Sequence, residues 1–233
     1  MRSLAIMQPY FFPYLGYWQL IKAVDKFVIY DDVNYITRGW VNRNCIRING
    51  EAHYITVPLK DASQNRRISD IELHPAITWR NKLTKTIALN YKKAPFFGSV
   101  FPVLEELITF PTNSLSSYLS HQLESLVLRM GISTLLSHSA VYGNQDLSGT
   151  DRILDICGRE NASTYVNATG GKDLYDPTLF ARRDIQLRFL KMRPISYSQR
   201  SQSFLPNLSI IDVLMENGFA GTSDYLLQFD LIN

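Results

Sequence analysis

The stretch from Ile6 to Ile46 constrains this chain more than any other. An apolar run, Leu4-Ala5-Ile6-Met7, stops at Gln8-Pro9, and a loop crowded with rings follows, punctuated by Pro13 and Gly16. From Tyr17 to Val24 the apolar positions Tyr17, Leu20, Ile21 and Val24 recur at helical spacing. A second apolar run, Phe27-Val28-Ile29-Tyr30, ends on Asp31-Asp32. Strand, loop, helix and strand make a βαβ unit, whose loops gather at the C-terminal ends of parallel strands. The loop Gln8 to Tyr14 and the pair Asp31-Asp32 are therefore expected to face one another across a polar pocket, with Arg43 in reach.

The rest of the chain extends this pattern. Cys45 to Ile48 and His53 to Val57 flank Asn49-Gly50, a pair that accepts the positive φ of a tight hairpin turn. Asp61 to Arg67 is polar and expected to be exposed, and Ile68 to Leu73 is expected to add a short edge strand. Helical periodicity then takes over at Trp79–Tyr91, Val100–Thr109 and Ser114–Met130, with Gly131 as the last helix's C-terminal stop. Alternation resumes with a strand at Ser133–Ser137, a helix from Thr150 to Arg159 and a strand at Thr164–Asn167 closed by Ala168-Thr169-Gly170-Gly171-Lys172. Asp176-Pro177 opens a helix to Arg183, Ile185–Leu190 forms a strand, and Ser209-Ile210-Ile211-Asp212 caps a helix running to Asn217-Gly218. The expectation is one α/β domain over residues 1–233: a mostly parallel, Rossmann-like sheet with flanking helices and a helical section over residues 79–131.

Composition narrows the function classes. A net charge of +3 over 233 residues is no polyanion-binding signal, so nucleic acid is not expected as a partner. The apolar run at the start is interrupted too early for a signal peptide, and no stretch reaches the length of a membrane span. Cys45 and Cys157 lie far apart in the chain and form no CxxC pair, so a cytoplasmic protein with reduced thiols is expected. The four histidines (His53, His74, His121, His138) show no ligand spacing, and no metal site is expected. The cofactor is left unknown, with Mg²⁺ conceivable at Asp31-Asp32 only alongside a nucleotide.

Asp31 and Asp32, at the end of an apolar strand, are the candidate catalytic groups: a general base toward an amine, or a ligand for a ribose or sugar hydroxyl. The alternative is a turn or cap. Arg38, Asn42, Arg43 and Asn44 form a cluster whose guanidinium forks suit phosphate and whose amides suit sugar hydroxyls, or a loop in which an Arg pairs with an acid. Gln8, Tyr10 and Tyr14 are candidates to line the pocket, although the rings also suit plain packing. Gly170, Gly171 and Lys172 are candidates to offer backbone N–H groups to an anion, or to make an ordinary turn. Cys157 reads as core, and Cys45 has no obvious base beside it.

These landmarks resemble the WbqC-like protein family. The resemblance rests on Met7-Gln8-Pro9-Tyr10-Phe11-Phe12-Pro13-Tyr14-Leu15-Gly16-Tyr17, on Tyr30-Asp31-Asp32-Val33 and on Asn42-Arg43-Asn44. It extends to Gly170-Gly171-x-x-x-Tyr175 and Pro206-x-Leu208-Ser209-Ile210-Ile211-Asp212. The family is bacterial and associated with O-antigen and other surface polysaccharides. The resemblance implies an enzyme that transfers an acyl or aminoacyl group to the amine of a nucleotide-linked amino sugar, or a non-catalytic module that binds the sugar nucleotide. Pro13-Tyr14-Leu15-Gly16-Tyr17 also sits where HIGH-type nucleotidyl transferases carry His-x-Gly-His, but both histidine positions are tyrosine here.

Overall fold

A computed structural model describes residues 2–201 and 203–233. In chain order the N-terminal part comprises β1 (Arg2–Met7), α1 (Leu15–Lys22), β2 (Lys26–Ile29), β3 (Arg43–Ile48), β4 (Glu51–Thr56), β5 (Leu59–Lys60) and β6 (Glu72–Leu73). The helices α2 (Thr78–Tyr91), α3 (Phe97–Thr109) and α4 (Leu115–Arg129) follow, then β7 (Leu135–His138), α5 (Gly149–Arg159) and β8 (Ala162–Ala168). The chain ends with α6 (Pro177–Ala181), β9 (Gln186–Met192), α7 (Ile210–Tyr225) and β10 (Phe229–Ile232).

The main sheet has the order β10-β9-β8-β1-β2-β7. Every pairing in it is parallel except that of β10 with β9. This is the Rossmann-like α/β sheet that the alternation implied. From β1 the chain steps outward to β2 and later β7, then crosses to β8 on the other side of β1. The loops after β1 and β8 therefore diverge, and that switch in direction is where open α/β sheets leave a crevice.

Strand pleating divides the core. Leu4 and Ile6 face a cluster with Ile153, Ile156 and Cys157 of α5 and Phe180 of α6. Ala5 between them faces the larger cluster, which takes in Trp18 and Ile21 of α1, Leu83 and Ile87 of α2, Leu104 of α3, Leu119 of α4 and Leu214 of α7. The three middle helices thus share one core with α1 and α7.

Local signals explain most boundaries. Asn49 and Gly50 both have positive φ, 51° and 84°, as a two-residue hairpin turn between β3 and β4 demands. Ser114 caps α4 by accepting from the Ser117 N–H, and Asp176 caps α6 through the Thr178 N–H at 2.9 Å. The helix expected to stop at Asn217-Gly218 kinks there instead: Gly218 has φ 69° and ψ −179°, and the helix resumes to Tyr225. A Cβ on Gly218 would lie 2.6 Å from the Phe96 ring, so both the backbone and the packing require glycine. The edge strand expected over Ile68–Leu73 is mostly a 3₁₀ turn, Ile68–Asp70; only Glu72 and Leu73 pair, with β5. The reason is tertiary: the turn donates the Ser69 N–H to the Asp31 carbonyl and the Ile68 N–H to the Val33 carbonyl, just past the end of β2.

Candidate functional site

The loop after β1 is built of buried rings, with its backbone oxygens facing donors from distant elements. The Phe12 carbonyl accepts from Asn44 Nδ2 on β3 at 2.9 Å and from Ser209 Oγ at 2.7 Å. Phe11 O accepts from the same Asn44 nitrogen at 3.0 Å, and Pro13 O accepts from Trp18 Nε1 at 2.9 Å. The Gln8 carbonyl accepts from the Tyr17 hydroxyl at 2.9 Å. Gly16 allows the loop to close: a Cβ there would stand 2.6 Å from the Tyr14 ring and 2.5 Å from Met192 Sδ.

Between this loop and the one after β8 lies a cleft of two adjoining chambers. The first, of about 430 Å³, is bounded by Gln8, Tyr10, Tyr14, Tyr30, Trp40, Asn167, Gly171 and Tyr175 among others. The second, of about 510 Å³, shares Tyr10, Tyr14, Trp40, Ala168 and Gly170 with it and extends to Asn44, Lys191, Met192 and Asn207. Among the described residues lining the two chambers, Lys191, in the second, is the one basic or acidic side chain. Burial raises the Tyr10 and Tyr14 hydroxyls above the usual phenol range, so both are protonated donors. Gln8 Oε1 is buried and without a hydrogen-bond partner among the described residues. An unpaired buried acceptor costs about 1–3 kcal/mol, which a ligand's N–H or O–H would recover.

Across the cleft, Asn167 uses its amide to fix a ring. Its Nδ2 donates to the Tyr175 hydroxyl at 2.9 Å and to that of Tyr165 at 3.1 Å, while Oδ1 accepts from the Ala168 N–H at 2.7 Å. A Cβ on Gly171 would come within 3.3 Å of Asn167 Oδ1. Trp40 is 43% exposed, and its ring centroid lies 6.1 Å from that of Tyr54.

The structure brings Gln8, Tyr10, Tyr14, Asn44, Gly170 and Gly171 to this cleft and separates the other candidates from it. Asp31 and Asp32 do not line it; both are buried and held by side chains from later in the chain. Asp31 Oδ2 accepts from Ser116 Oγ and pairs with His138 Nδ1 at 2.9 Å. Burial pushes Asp31 upward, but the bonds from His138 and Ser116 outweigh it and hold the carboxyl below its usual range. Asp32 Oδ2 takes Arg152 Nη2 at 2.6 Å and Gln145 Nε2 at 3.1 Å, and Oδ1 takes Ser139 Oγ. The expectation of one polar pocket shared by Gln8, the two acids and Arg43 is therefore corrected. Partners on α4, α5 and β7 draw the carboxylates inward.

The basic cluster is corrected in the same way. Arg43 Nε donates to Gly39 O at 3.1 Å and Nη2 to the Arg38 carbonyl, with the guanidinium 4.4 Å from the Tyr54 ring centroid. Exposed Arg38 supplies only that carbonyl, at φ 59°. Asn42 is consumed by Tyr35 Oη at 2.7 Å and Val57 O at 2.8 Å. Asn44 borders the second chamber, but its amide is spent on the loop carbonyls and on the Cys45 N–H at 2.8 Å. Lys172 reaches Asn233 O at 2.9 Å, away from the cleft. Burial raises the thiol of Cys45 and pushes that of Cys157 up to about 12, so neither is poised as a thiolate.

Residues outside the sequence-predicted site complete the walls: Tyr30 and Tyr175, which stand in the family landmarks, and Trp40, Asn167 and Lys191. Tyr30 and Trp40 border segments already singled out, and Asn167 ends a strand as Gln8 does. A second polar cluster was also missed. Asp212, expected only as a helix-start acid, is fully buried and accepts from Tyr91 Oη at 2.7 Å, Tyr197 Oη at 2.8 Å and Gln199 Nε2 at 3.0 Å. Burial prevails over those bonds and raises its carboxyl. Among the described residues no group of three or more His, Cys, Asp or Glu is arranged to hold a metal ion, and no helix is long and apolar enough to cross a membrane.

The chain is similar to known proteins over almost its whole length. The chain is 29% identical over 228 residues to the uncharacterized protein Rv1507c of Mycobacterium tuberculosis (strain ATCC 25618 / H37Rv), covering 97% of this chain and 98% of the relative. No solved structure matches. The family model of the WbqC-like protein family matches residues 8–224, from the cleft's orphan glutamine to the end of α7. The chain belongs to the WbqC-like protein family.

Proposed function

We propose that the cleft binds a nucleotide-linked amino sugar, and that the protein transfers an acyl or aminoacyl group to the sugar's amine in making a bacterial surface polysaccharide. The observation that carries this reading is Gln8 Oε1, a buried acceptor without a partner, set among Tyr10, Tyr14, Tyr30 and Tyr175. Ring walls stack on a base or a sugar face, and neutral hydroxyls and amides match a polyol. Lys191 supplies positive charge toward a phosphate at the far end. The family's association with O-antigen pathways supplies the substrate class.

In this reading an amine N–H donates to Gln8 Oε1, which aims the nitrogen lone pair at the acyl carbon. The N–C bond forms as the bond to the donor's leaving group breaks, and the amine proton departs with that group. The protein's contribution is orientation and exclusion of water. Asp31 and Asp32 then serve to hold the end of β2 rather than to take the proton. A HIGH-type adenylyl transfer is disfavoured because Tyr17, at the second histidine position, is 2% exposed and bonded to the loop backbone.

The test is a panel of UDP-, GDP- and dTDP-linked amino sugars, first by calorimetric titration and then with acyl donors and mass-spectrometric detection of the amide. Binding with product formation supports the proposal. Binding without turnover across donors would assign the chain to the non-catalytic module, and no binding at all would remove the reading.

A further inference from the structure

Next to the cleft, sharing Met192 and Asn207 with its second chamber, lies a third hollow of about 450 Å³. Its walls are of a different kind: Leu15, Ile195, Phe204, Pro206, Leu208 and Val213. The change is abrupt along the chain, because Tyr14 borders the polar cleft and the next residue, Leu15, borders the apolar chamber. Among the described residues of its wall the one charged side chain, Arg193, is paired with Asp230 at 2.5 Å, and none is a carboxylate.

The chamber is preformed by a fastened strap. Tyr197 and Gln199 tie the segment after β9 to Asp212, and Gln199 Oε1 accepts from the Leu205 N–H at 2.7 Å. Arg200 grips Glu216 through Nε, at 2.9 and 3.0 Å, and Nη2, at 2.7 Å. The Tyr197 and Phe204 rings meet edge-on at 5.2 Å. Such fastening keeps an apolar hollow open that would otherwise collapse. The volume is about three times that of a cavity known to accept benzene, at roughly 150 Å³.

We propose that this chamber holds the aliphatic tail of an acyl donor, with the donor's carbonyl end at the Met192–Asn207 threshold, facing the polar cleft. The inference rests on the acyl-transfer reading above, and it specifies the second substrate as one with an apolar acyl chain. The polar acceptor and the apolar donor then lie on either side of the shared Met192 and Asn207 wall.

Octanoate, compared with acetate, is the probe, titrated calorimetrically into the full-length protein. The expected result is binding of octanoate with a negative heat-capacity change, at least tenfold tighter than acetate. Ile195→Asp should weaken octanoate at least tenfold, and so should Phe204→Asp, which alters a more exposed position if the first variant fails to fold. Gln8→Leu should leave octanoate binding within twofold. Failure of octanoate to bind, or equal binding to wild type and a folded variant at Ile195 or Phe204, overturns the proposal. If octanoate binds as described while no sugar nucleotide does, the apolar chamber stands as an acyl site and the amino-sugar reading falls instead.

Discussion

Ser209 Oγ donates to the carbonyl of Phe12 at 2.7 Å, joining two fully buried residues 197 positions apart behind the loop that lines the cleft. Phe12 is held at φ 38°, a left-handed conformation that costs a side-chain-bearing residue roughly 1–2 kcal/mol. Ser209, which also begins α7, and Asn44 together satisfy the carbonyl oxygens this conformation exposes. Two stretches far apart in the chain are thus parts of one clamp on the Gln8–Tyr14 loop.

Removing the clamp should loosen the loop and the site together. Asn44→Ala is expected to lower stability by about 1–3 kcal/mol, because it orphans the Phe11 carbonyl, and Ser209→Ala by about 0.5–1.5 kcal/mol, the worth of one hydrogen bond to an acceptor that keeps a second donor. The double variant should lose more than the sum, because either donor alone still serves the Phe12 oxygen and only their joint loss orphans it. Urea denaturation of the four proteins measures this, and strict additivity would argue that the two act independently.

Gln8→Leu separates stability from binding. The side chain is nearly the same size, and it removes a buried acceptor that has no partner. Stability is expected to hold or rise by up to about 1 kcal/mol, while affinity for the bound sugar nucleotide falls at least tenfold. A variant that loses stability and keeps its affinity would show that Gln8 serves packing.

Asp32 and Arg152 form a pair whose side chains are only 5% and 3% exposed. Breaking it from one side leaves a buried charge uncompensated, at a cost of about 3–5 kcal/mol. Arg152→Met should therefore unfold at markedly lower denaturant. Asp32→Asn should be destabilised too, yet where it is folded it should bind the sugar nucleotide like the wild type. Selective loss of turnover in a folded Asp32→Asn protein would restore the carboxylate to the chemistry.

The Asp31–His138 pair predicts a pH dependence. The hydrogen bond to Asp31 raises the imidazole above its usual range, against the opposing effect of burial. Its stabilisation is present below the unfolded histidine pKa, about 6.5, and is lost as pH rises through the higher folded value. Asp31, whose carboxyl is held low, stabilises above its unfolded value, about 3.9, and loses this as pH falls through the lower folded one. The stability difference between wild type and His138→Gln should thus be greatest between about pH 4 and 6.5 and shrink toward pH 8. A difference that is flat across this range, followed by denaturation midpoint, would mean that the imidazolium is not bound by Asp31.

From residue order alone most strands and helices, the Asn49-Gly50 turn, the parallel sheet and the loop carrying Gln8 were legible, because each depends on periodicity and backbone preferences within a few residues; the strand Phe229–Ile232, paired antiparallel with β9, was not foreseen. Gln8, Tyr10, Tyr14 and the Gly170-Gly171 turn were also legible as groups at strand ends, since parallel strands deliver their loops to one edge. Which polar groups would face the cleft was decided by tertiary structure. Asp31 and Gln8 look alike in sequence, each polar after an apolar strand, but Ser116 and His138 reach Asp31 Oδ2, leaving its Oδ1 unpaired among the described residues, while no described side chain reaches Gln8 Oε1. Arg152 likewise claims Asp32 from 120 residues away. A buried polar atom takes whichever partner the folded chain brings to it, and strand or helix periodicity carries no information about that partner.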